Sequence, residues 1–362
     1  MKFRKTSENN KLKFKTFLFL SKRFSMNILV TGGAGFIGSH TVVELVSAGH
    51  KPVILDDFSN SNKSVLVGLK NIIGHEVDFI EGNCNDEDTL RQVFKTFKID
   101  GVIHFAAAKA VGESVKNPLK YYELNVGSLI KLIKVMSEFE VTKLVFSSSC
   151  TVYGEPDTVP VTESTPRKSA NSPYGNTKSM GEDILRDTVF AGGNAQFISL
   201  RYFNPIGAHE SAEIGELPIG VPSNLVPFIT QTAIGARDSL TLFGDDYDTP
   251  DGTNIRDFIH VVDLAKAHLA ALEYLNSVPS NFYDVFNIGS GKGNSVMELI
   301  KAFESVNDLK LNYKIGPRRA GDTVKIYGDV RKANDLLKWK TEKSLEEALA
   351  DAWKWEQKLA KK

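Results

Sequence analysis

Cysteine is nearly absent from this 362-residue chain, which holds only Cys84 and Cys150. Two thiols cannot staple a fold, so a disulfide framework is excluded and a reducing, cytoplasmic setting is expected. Long apolar runs are missing too: no stretch of 18 hydrophobic residues occurs, and no bilayer-spanning helix is expected. Neither sign of charge is in surplus, with 44 Lys plus Arg against 44 Asp plus Glu. The balance gives no electrostatic reason to bind nucleic acid or a membrane surface. The seven histidines show no ligand spacing, so no metal site is expected, and there is no internal repeat or low-complexity tract.

What charge there is lies unevenly. Residues 1–25 carry eight Lys or Arg against one Glu, leaving 36 basic against 43 acidic residues from position 26 onward. The "FLFL" within this stretch is too short for a secretory core and lacks a small-residue cleavage site. Residues 1–25 are expected to be a disordered basic extension, because the apolar strand pattern starts at Asn27 with no linker.

From there the chain alternates. "NILVTGGAGFIGSHTVVELVSAGHKPVILDD" reads as strand, glycine turn, helix and strand, since Ile37, Val42, Leu45 and Val46 recur at roughly helical spacing. "VDFIEGN", "GVIHFAA", "KLVFSSS" and "FISLRYFN" read as further strands, separated by helical segments over 86–97, 119–138 and 175–190. This alternation implies right-handed parallel βαβ units, an α/β doubly wound Rossmann sheet. After Pro205 it dissolves into Gly- and Pro-rich loops. The expected division is a dinucleotide-binding domain over 26–204 and a smaller α/β substrate domain over 205–362. The segment 255–277 is expected to return to the first, with Asp263 as a helix N-cap.

Gly32, Gly35 and Gly38 sit between the first strand and the first helix as G-x-x-G-x-x-G. The first suits a tight turn, the second lets backbone approach a pyrophosphate, and the third lets helix pack on strand. The helix N-terminus would face the phosphates with unpaired N–H groups. Asp56 follows 24 residues after Gly32, at the end of the second strand and beside Asp57. A carboxylate there suits adenosine ribose hydroxyls and repels a 2′-phosphate, which argues for NAD over NADP.

Downstream, "SSSCTVYG" precedes "PYGNTK", in which Tyr174 and Lys178 are four apart and share a helix face. Ionising a phenol three units below its pKa of about 10 costs roughly 4 kcal/mol. An ammonium about 6 Å away offsets on the order of 3 kcal/mol at an effective dielectric near 20, and a nicotinium ring would add a similar amount. Two such cations would make the phenol a base matched to neutral pH. Ser149 is placed to share a substrate hydroxyl proton with it.

These motifs resemble the extended short-chain dehydrogenase/reductase family, most closely its members that epimerise UDP-hexoses, from Met26 to about Trp355. The blocks that carry the resemblance include "VTGGAGFIGSHT", "VIHFAAAKAVGESVKNPLKYY", "FSSSCTVYG", "SPYGNTKSMGE", "LRYFNPIGAH", "GVPSNLVPFI", "DGTNIRDFIHVVDLA" and "PRRAGD". The resemblance implies one tightly held NAD per subunit and interconversion of UDP-glucose and UDP-galactose through a 4-keto sugar. It makes Tyr174 the base, Lys178 its electrostatic partner and holder of the nicotinamide ribose, and Ser149 the group that orients the sugar hydroxyl. It implies a cofactor site of Gly32, Gly35, Phe36, Ile37, Gly38, Asp56, Asp57, Asn60, Ser61, Asn83, Cys84, Phe105, Ala106, Ala107, Lys109 and Phe203, with Asn125 in support. It implies that Thr151, Asn204, Asn224, Leu225, Arg256, Arg319 and Asp322 meet the UDP-sugar, the arginines clamping the diphosphate. A homodimer packed through helices 119–138 and 175–190 is implied as well.

Three positions depart from the family pattern. Asn83 stands where Asp is usual, and its amide oxygen can still accept a bond from the adenine amino group. Ala107 replaces a common glycine and asks for an ordinary backbone angle. The resemblance implies that Ile326 occupies the position whose side-chain size gates N-acetylated sugars, which stay open here as substrates. Related UDP-sugar epimerases, decarboxylases and a catalytically silent NAD-sensing protein share much of this pattern. A 4,6-dehydratase would need carboxylates where Cys150 and Thr151 stand.

Overall fold

The computed structural model describes residues 25–319 and 322–361. The basic extension expected over 1–25 lies outside the described residues except for Ser25. The strands are β1 (Asn27–Thr31), β2 (Lys51–Asp56), β3 (Asp78–Glu81), β4 (Gly101–His104), β5 (Lys143–Ser149), β6 (Gln196–Tyr202), β7 (Asn204–Ile206), β8 (Leu240–Phe243), β9 (Ile255–Arg256), β10 (Phe258–His260), β11 (Phe282–Ile288), β12 (Asn294–Ser295), β13 (Tyr313–Gly316) and β14 (Lys325–Ile326). Seven of them form one sheet in the order β11-β6-β5-β4-β1-β2-β3, with every neighbouring pair parallel. The order reverses between β1 and β4. In a doubly wound sheet the carboxyl ends of the strands at such a reversal open a ligand crevice.

Strand pleating explains why these segments read as continuous apolar runs. Ile28 and Val30 of β1 join a cluster with Leu45, Leu264 and Leu272 on one face of the sheet. Leu29 between them joins Leu90, Leu132 and Leu185 on the other. A sheet covered by helices on both sides needs hydrophobic residues at successive positions rather than alternate ones. Each such side chain, fully buried, contributes about 1.5–3 kcal/mol.

Sequence and structure differ at several elements. Helix Val261–Tyr274 packs on helix Phe36–Ser47. Its N-cap is His260, whose Nδ1 accepts from the Val262 N–H at 3.0 Å. Asp263 is therefore not the cap: its Oδ2 accepts the N–H groups of Glu342 and Lys343 at 3.0 and 2.9 Å. Strand β11, inside the stretch expected to belong to the substrate domain, pairs with β6 along its whole length and closes the sheet edge. The helix expected over 119–138 is a short turn Pro118–Tyr121, a π-helical turn Tyr122–Gly127 and an α-helix Ser128–Glu138. A helix Ser64–Ile73 also lies between β2 and β3. Beyond the sheet, Ile206, Ile229, Leu242, Leu299, Phe303 and Leu349 build a separate hydrophobic cluster that includes strands of the smaller sheets β10-β7 and β13-β8, and a third small sheet is β12-β9-β14. No described helix is long and apolar enough to cross a membrane.

Candidate active site

The turn after β1 is shaped by what cannot be there. Gly32 takes φ +70°, and a Cβ on it would sit 2.9 Å from the Ala106 backbone nitrogen, so the two strand-end loops touch through backbone alone. A Cβ on Gly38 would lie 2.2 Å from the Gly32 carbonyl oxygen, which is why the helix can approach the turn so closely. Helix Phe36–Ser47 starts at Gly35 with no side-chain cap. Its first-turn N–H groups remain available to an anion. At the end of β2, Asp56 accepts from the Ala34 N–H at 3.0 Å, the Phe58 N–H at 2.9 Å and the Ser61 hydroxyl at 2.8 Å. This carboxylate thus joins the glycine turn to the loop that carries Asn60 and Ser61. The glycine cradle, the uncapped helix and the carboxylate fit a dinucleotide.

The neighbouring residues extend this wall. Asp57 accepts from the Asn83 amide at 3.0 Å, while the Asn83 oxygen accepts from the Asn85 N–H at 2.7 Å. Cys84 points into the core against Thr31, and burial pushes its thiol up to about 12, so only its backbone is free for a cofactor. Ala107 keeps an ordinary φ. Phe105 packs on His268 with ring centres 4.6 Å apart. His104 bonds Thr31 Oγ1 at 2.7 Å and is held neutral by burial.

The loop after β4 is tied to the Tyr174 helix by one amide. Asn125, on the π-helical turn, accepts from the Ala108 N–H at 2.8 Å and donates to the Ala108 carbonyl and Thr177 Oγ1, both at 3.0 Å. π-turns recur at functional sites, because the extra residue redirects a side chain. Helix Pro173–Phe190 opens with Ser172 as N-cap and Pro173 at its first position, a strong local start signal. Tyr174 consequently stands in the first turn, at the mouth of the strand ends.

Lys178 is buried and donates to the Ser147 carbonyl at 2.6 Å. Its Nζ lies 5.9 Å from the centre of the Tyr174 ring. Burial pulls the ammonium down to about 7. Burial likewise pushes the Tyr174 phenol well above its ordinary value, with Ser149 pulling the other way. The expected lowering of the phenol therefore does not come from the chain's own atoms, because burial, then Tyr202, Cys150 and Tyr121, raise it and the Ser149 hydrogen bond only partly offsets them. Ser149 ends β5 and accepts from the Thr151 N–H at 3.2 Å. The Thr151 hydroxyl is buried with no partner. Cys150, its thiol also pushed up to about 12, is no nucleophile.

Across the crevice, Asp322 receives two guanidiniums, Arg319 at 2.8 Å and Arg256 at 3.5 Å. Ile326 of β14 pairs with Arg256 of β9 and is buried beside Phe203, Val152 and Tyr153. Asn204 donates its N–H to the Asp257 carbonyl at 3.0 Å. Asn224 caps helix Leu225–Ala233 without a side-chain bond. Its amide instead donates to Glu216 at 2.6 Å, and Lys109 lies 3.6 Å from the same carboxylate. Glu216 went unnoticed in the sequence, where nothing ties it to Lys109 more than a hundred positions away. Asp257 went unnoticed too: it accepts the N–H groups of Ser290, Gly291 and Gly328, fixing the strand that carries Arg256. Among the described residues no group of His, Cys, Asp and Glu could hold a metal ion.

Residues 28–289 match the NAD dependent epimerase/dehydratase family. The chain is 49% identical over 329 residues to the UDP-glucose 4-epimerase of Neisseria meningitidis serogroup A, covering 91% of this chain and 96% of that one. It is 49% identical over 329 residues to the UDP-glucose 4-epimerase of Dictyostelium discoideum, at 91% and 95% coverage. Among solved structures it resembles the UDP-glucose 4-epimerase of Bifidobacterium longum in complex with NAD+ and UDP, with a TM-score of 0.88, 44% identity, and 92% and 98% coverage.

Proposed function

From a chain that belongs to the NAD dependent epimerase/dehydratase family, we infer an NAD-dependent epimerase that interconverts UDP-glucose and UDP-galactose, a step of galactose metabolism. The observation that carries this reading is the meeting of Ser149, Tyr174 and Lys178 at the strand ends, across from the paired arginines. Residues 26–204, with helix Val261–Tyr274 and strand β11, hold the cofactor. The smaller sheets hold the UDP-sugar.

NAD, when bound, would supply a reversible hydride acceptor for C4 of the sugar. Gly32, Gly35 and Gly38 would receive its pyrophosphate on backbone, Asp56 would hold the adenosine ribose, and Lys178 the nicotinamide ribose. Tyr174 removes the 4′-hydroxyl proton and later returns it, while Ser149 orients that hydroxyl and Thr151 offers the sugar its unpaired one. Because burial, with Tyr202, Cys150 and Tyr121 beside it, raises the phenol, its ionisation depends on a second positive charge in the crevice besides Lys178. Arg256 and Arg319 hold the diphosphate, supported by Asp322. Anchoring at the nucleotide leaves the 4-keto sugar free to present either face. Ile326, packed against Phe203, is a branched aliphatic side chain at this position, and plain hexoses are the expected substrates.

Exposed apolar side chains on neighbouring helices, Val115, Leu119, Ile130 and Met180, support a homodimer. Two free thiols suit a reducing, cytoplasmic location. The purified protein, given UDP-galactose and no added NAD, is expected to yield UDP-glucose on chromatography. If product appears only when NAD is supplied in stoichiometric amounts, the recycling scheme is wrong; if none appears at all, so is the epimerase reading.

A further inference from the structure

Three consecutive residues of β5 face three different partners. The Ser147 carbonyl takes the Lys178 ammonium, Ser149 faces the substrate, and Ser148 between them donates its hydroxyl to Glu182 Oε1 at 2.6 Å. Glu182 follows Lys178 by four positions and Tyr174 by eight, so all three lie along one face of the same helix. The mechanism above does not use Glu182, yet it is among the most heavily bonded side chains in the molecule. Arg201 of β6 grips it with two donors, Nε to Oε1 at 2.8 Å and Nη2 to Oε2 at 2.6 Å. Arg167 reaches Oε2 at 3.5 Å. Arg201 also donates to the Tyr153 hydroxyl at 3.1 Å, and that hydroxyl donates to Asn287 of β11 at 2.6 Å. The side chains of Arg201 and Glu182 are only 5% and 3% exposed.

A buried ion pair is poor value as a stabiliser, because desolvating two charges consumes most of the attraction, and apolar replacements often fold as well. What a two-pronged guanidinium–carboxylate contact does supply is fixed relative orientation. Here the ion pair fixes β6, the neighbour of the strand that ends in Ser149, to the helix that carries the base and its ammonium, and Ser148 ties in β5 itself.

We propose that Glu182, gripped by Arg201 and bonded to Ser148, is a positioning residue that sets the spacing between Ser149 and the Tyr174–Lys178 pair. This rests on the epimerase reading. Without the Ser148–Glu182 bond, the strand end itself would keep only Lys178, the Ser149–Tyr174 contact and packing, with Arg201 acting at one remove through the neighbouring strand β6, and the acceptor for the sugar hydroxyl proton would wander. Displacements of about an ångström at a reacting centre can cost up to roughly a hundredfold in rate.

Glu182→Gln leaves Arg201 buried without a counter-charge and can cost the fold, so the decisive variant is Ser148→Ala, which removes one hydrogen bond and leaves the ion pair. In the NAD-loaded protein, Ser148→Ala is expected to lower kcat about 5- to 20-fold. The UDP-galactose KM should stay within about twofold, and the NAD content per subunit should not change. Ser148→Thr, which restores the hydroxyl, should recover most of the loss. Unchanged kcat in Ser148→Ala would overturn the proposal. So would a kcat loss that follows only the fraction of protein losing NAD or unfolding, because that is the signature of a merely structural bond. A parent protein without turnover would instead refute the epimerase reading itself, and the variants would not be needed to see it.

Discussion

Lys178 and the Arg256–Arg319 pair are both cations facing the crevice, but they are kept in different ways. Lys178 is buried, and among the described residues its only hydrogen-bond partner is the Ser147 carbonyl and no carboxylate lies within ion-pair reach. The two arginines share Asp322, and Arg319 keeps 60% of its side chain exposed. A guanidinium beside a carboxylate stays charged at any pH a protein meets. An ammonium desolvated without a counter-charge, drawn down to about 7, has a charge that its surroundings can set. The difference matches the tasks inferred for each end. A diphosphate needs a constant positive clamp, whereas a phenol that must lose and regain a proton is best served by a neighbour whose own protonation responds to it.

The largest effect should come from the responsive end. Tyr174→Phe removes the proton acceptor and leaves the glycine cradle, so kcat should fall by roughly 10²- to 10⁴-fold while the protein still carries its NAD. Chromatography of the UDP-hexoses together with cofactor content per subunit checks both halves. Retained turnover would take the base away from Tyr174 and make Lys178 an ordinary buried cation. At the constant end the signature should be different. Arg256→Ala removes charge-assisted bonds worth about 1.5–3 kcal/mol, which raises the KM for UDP-galactose on the order of 10- to 100-fold with kcat little changed. Arg319→Ala should do the same more weakly, because its side chain is largely in water. If either arginine variant loses kcat instead, the separation into clamp and reacting centre is wrong.

How much of this was legible in the sequence follows from how local each feature is. The glycine turn and strands such as "KLVFSSS" are written in adjacent residues, and the structure places them as read, while the helix expected over 175–190 starts two residues earlier, at Pro173 behind the Ser172 cap. The π-turn around Asn125 was not legible, because one inserted residue leaves the apolar spacing of 119–138 intact. Helix Ser64–Ile73 is opened by Asn62, whose Oδ1 accepts from the Ser64 N–H at 2.9 Å, but that asparagine sits in a polar "SNSNKS" run where several residues could cap equally well. Strand β11 pairs with a strand some eighty residues earlier, and its first four positions are only half-buried, so no strong pattern marked it. The site's polar network was hardest. Glu216 with Lys109, and Arg201 with Glu182, are pairs made by the fold. Only Glu182 left a trace, its spacing of four from Lys178.

The smallest effect tests the contrast at its root, the electrostatics of Lys178. Its pKa in the folded chain is lowered from 10.5 to about 7. Below about pH 7 the folded and unfolded chains both carry the proton, and the folded one bears the cost of burying it. Between about 7 and the unfolded value the folded chain has released the proton while the unfolded chain keeps it, so stability rises with pH. Lys178→Met has no proton to lose. In NAD-stripped protein, the melting temperature of Lys178→Met minus that of the parent should be greatest near about pH 6 and shrink by several degrees toward about pH 9. The bond to Ser147 is lost at every pH, so it changes the offset between the two curves and not its trend. A difference that stays constant across this range would mean that Lys178 keeps its charge when buried, and the two cationic ends of the crevice would then differ in burial but not in kind.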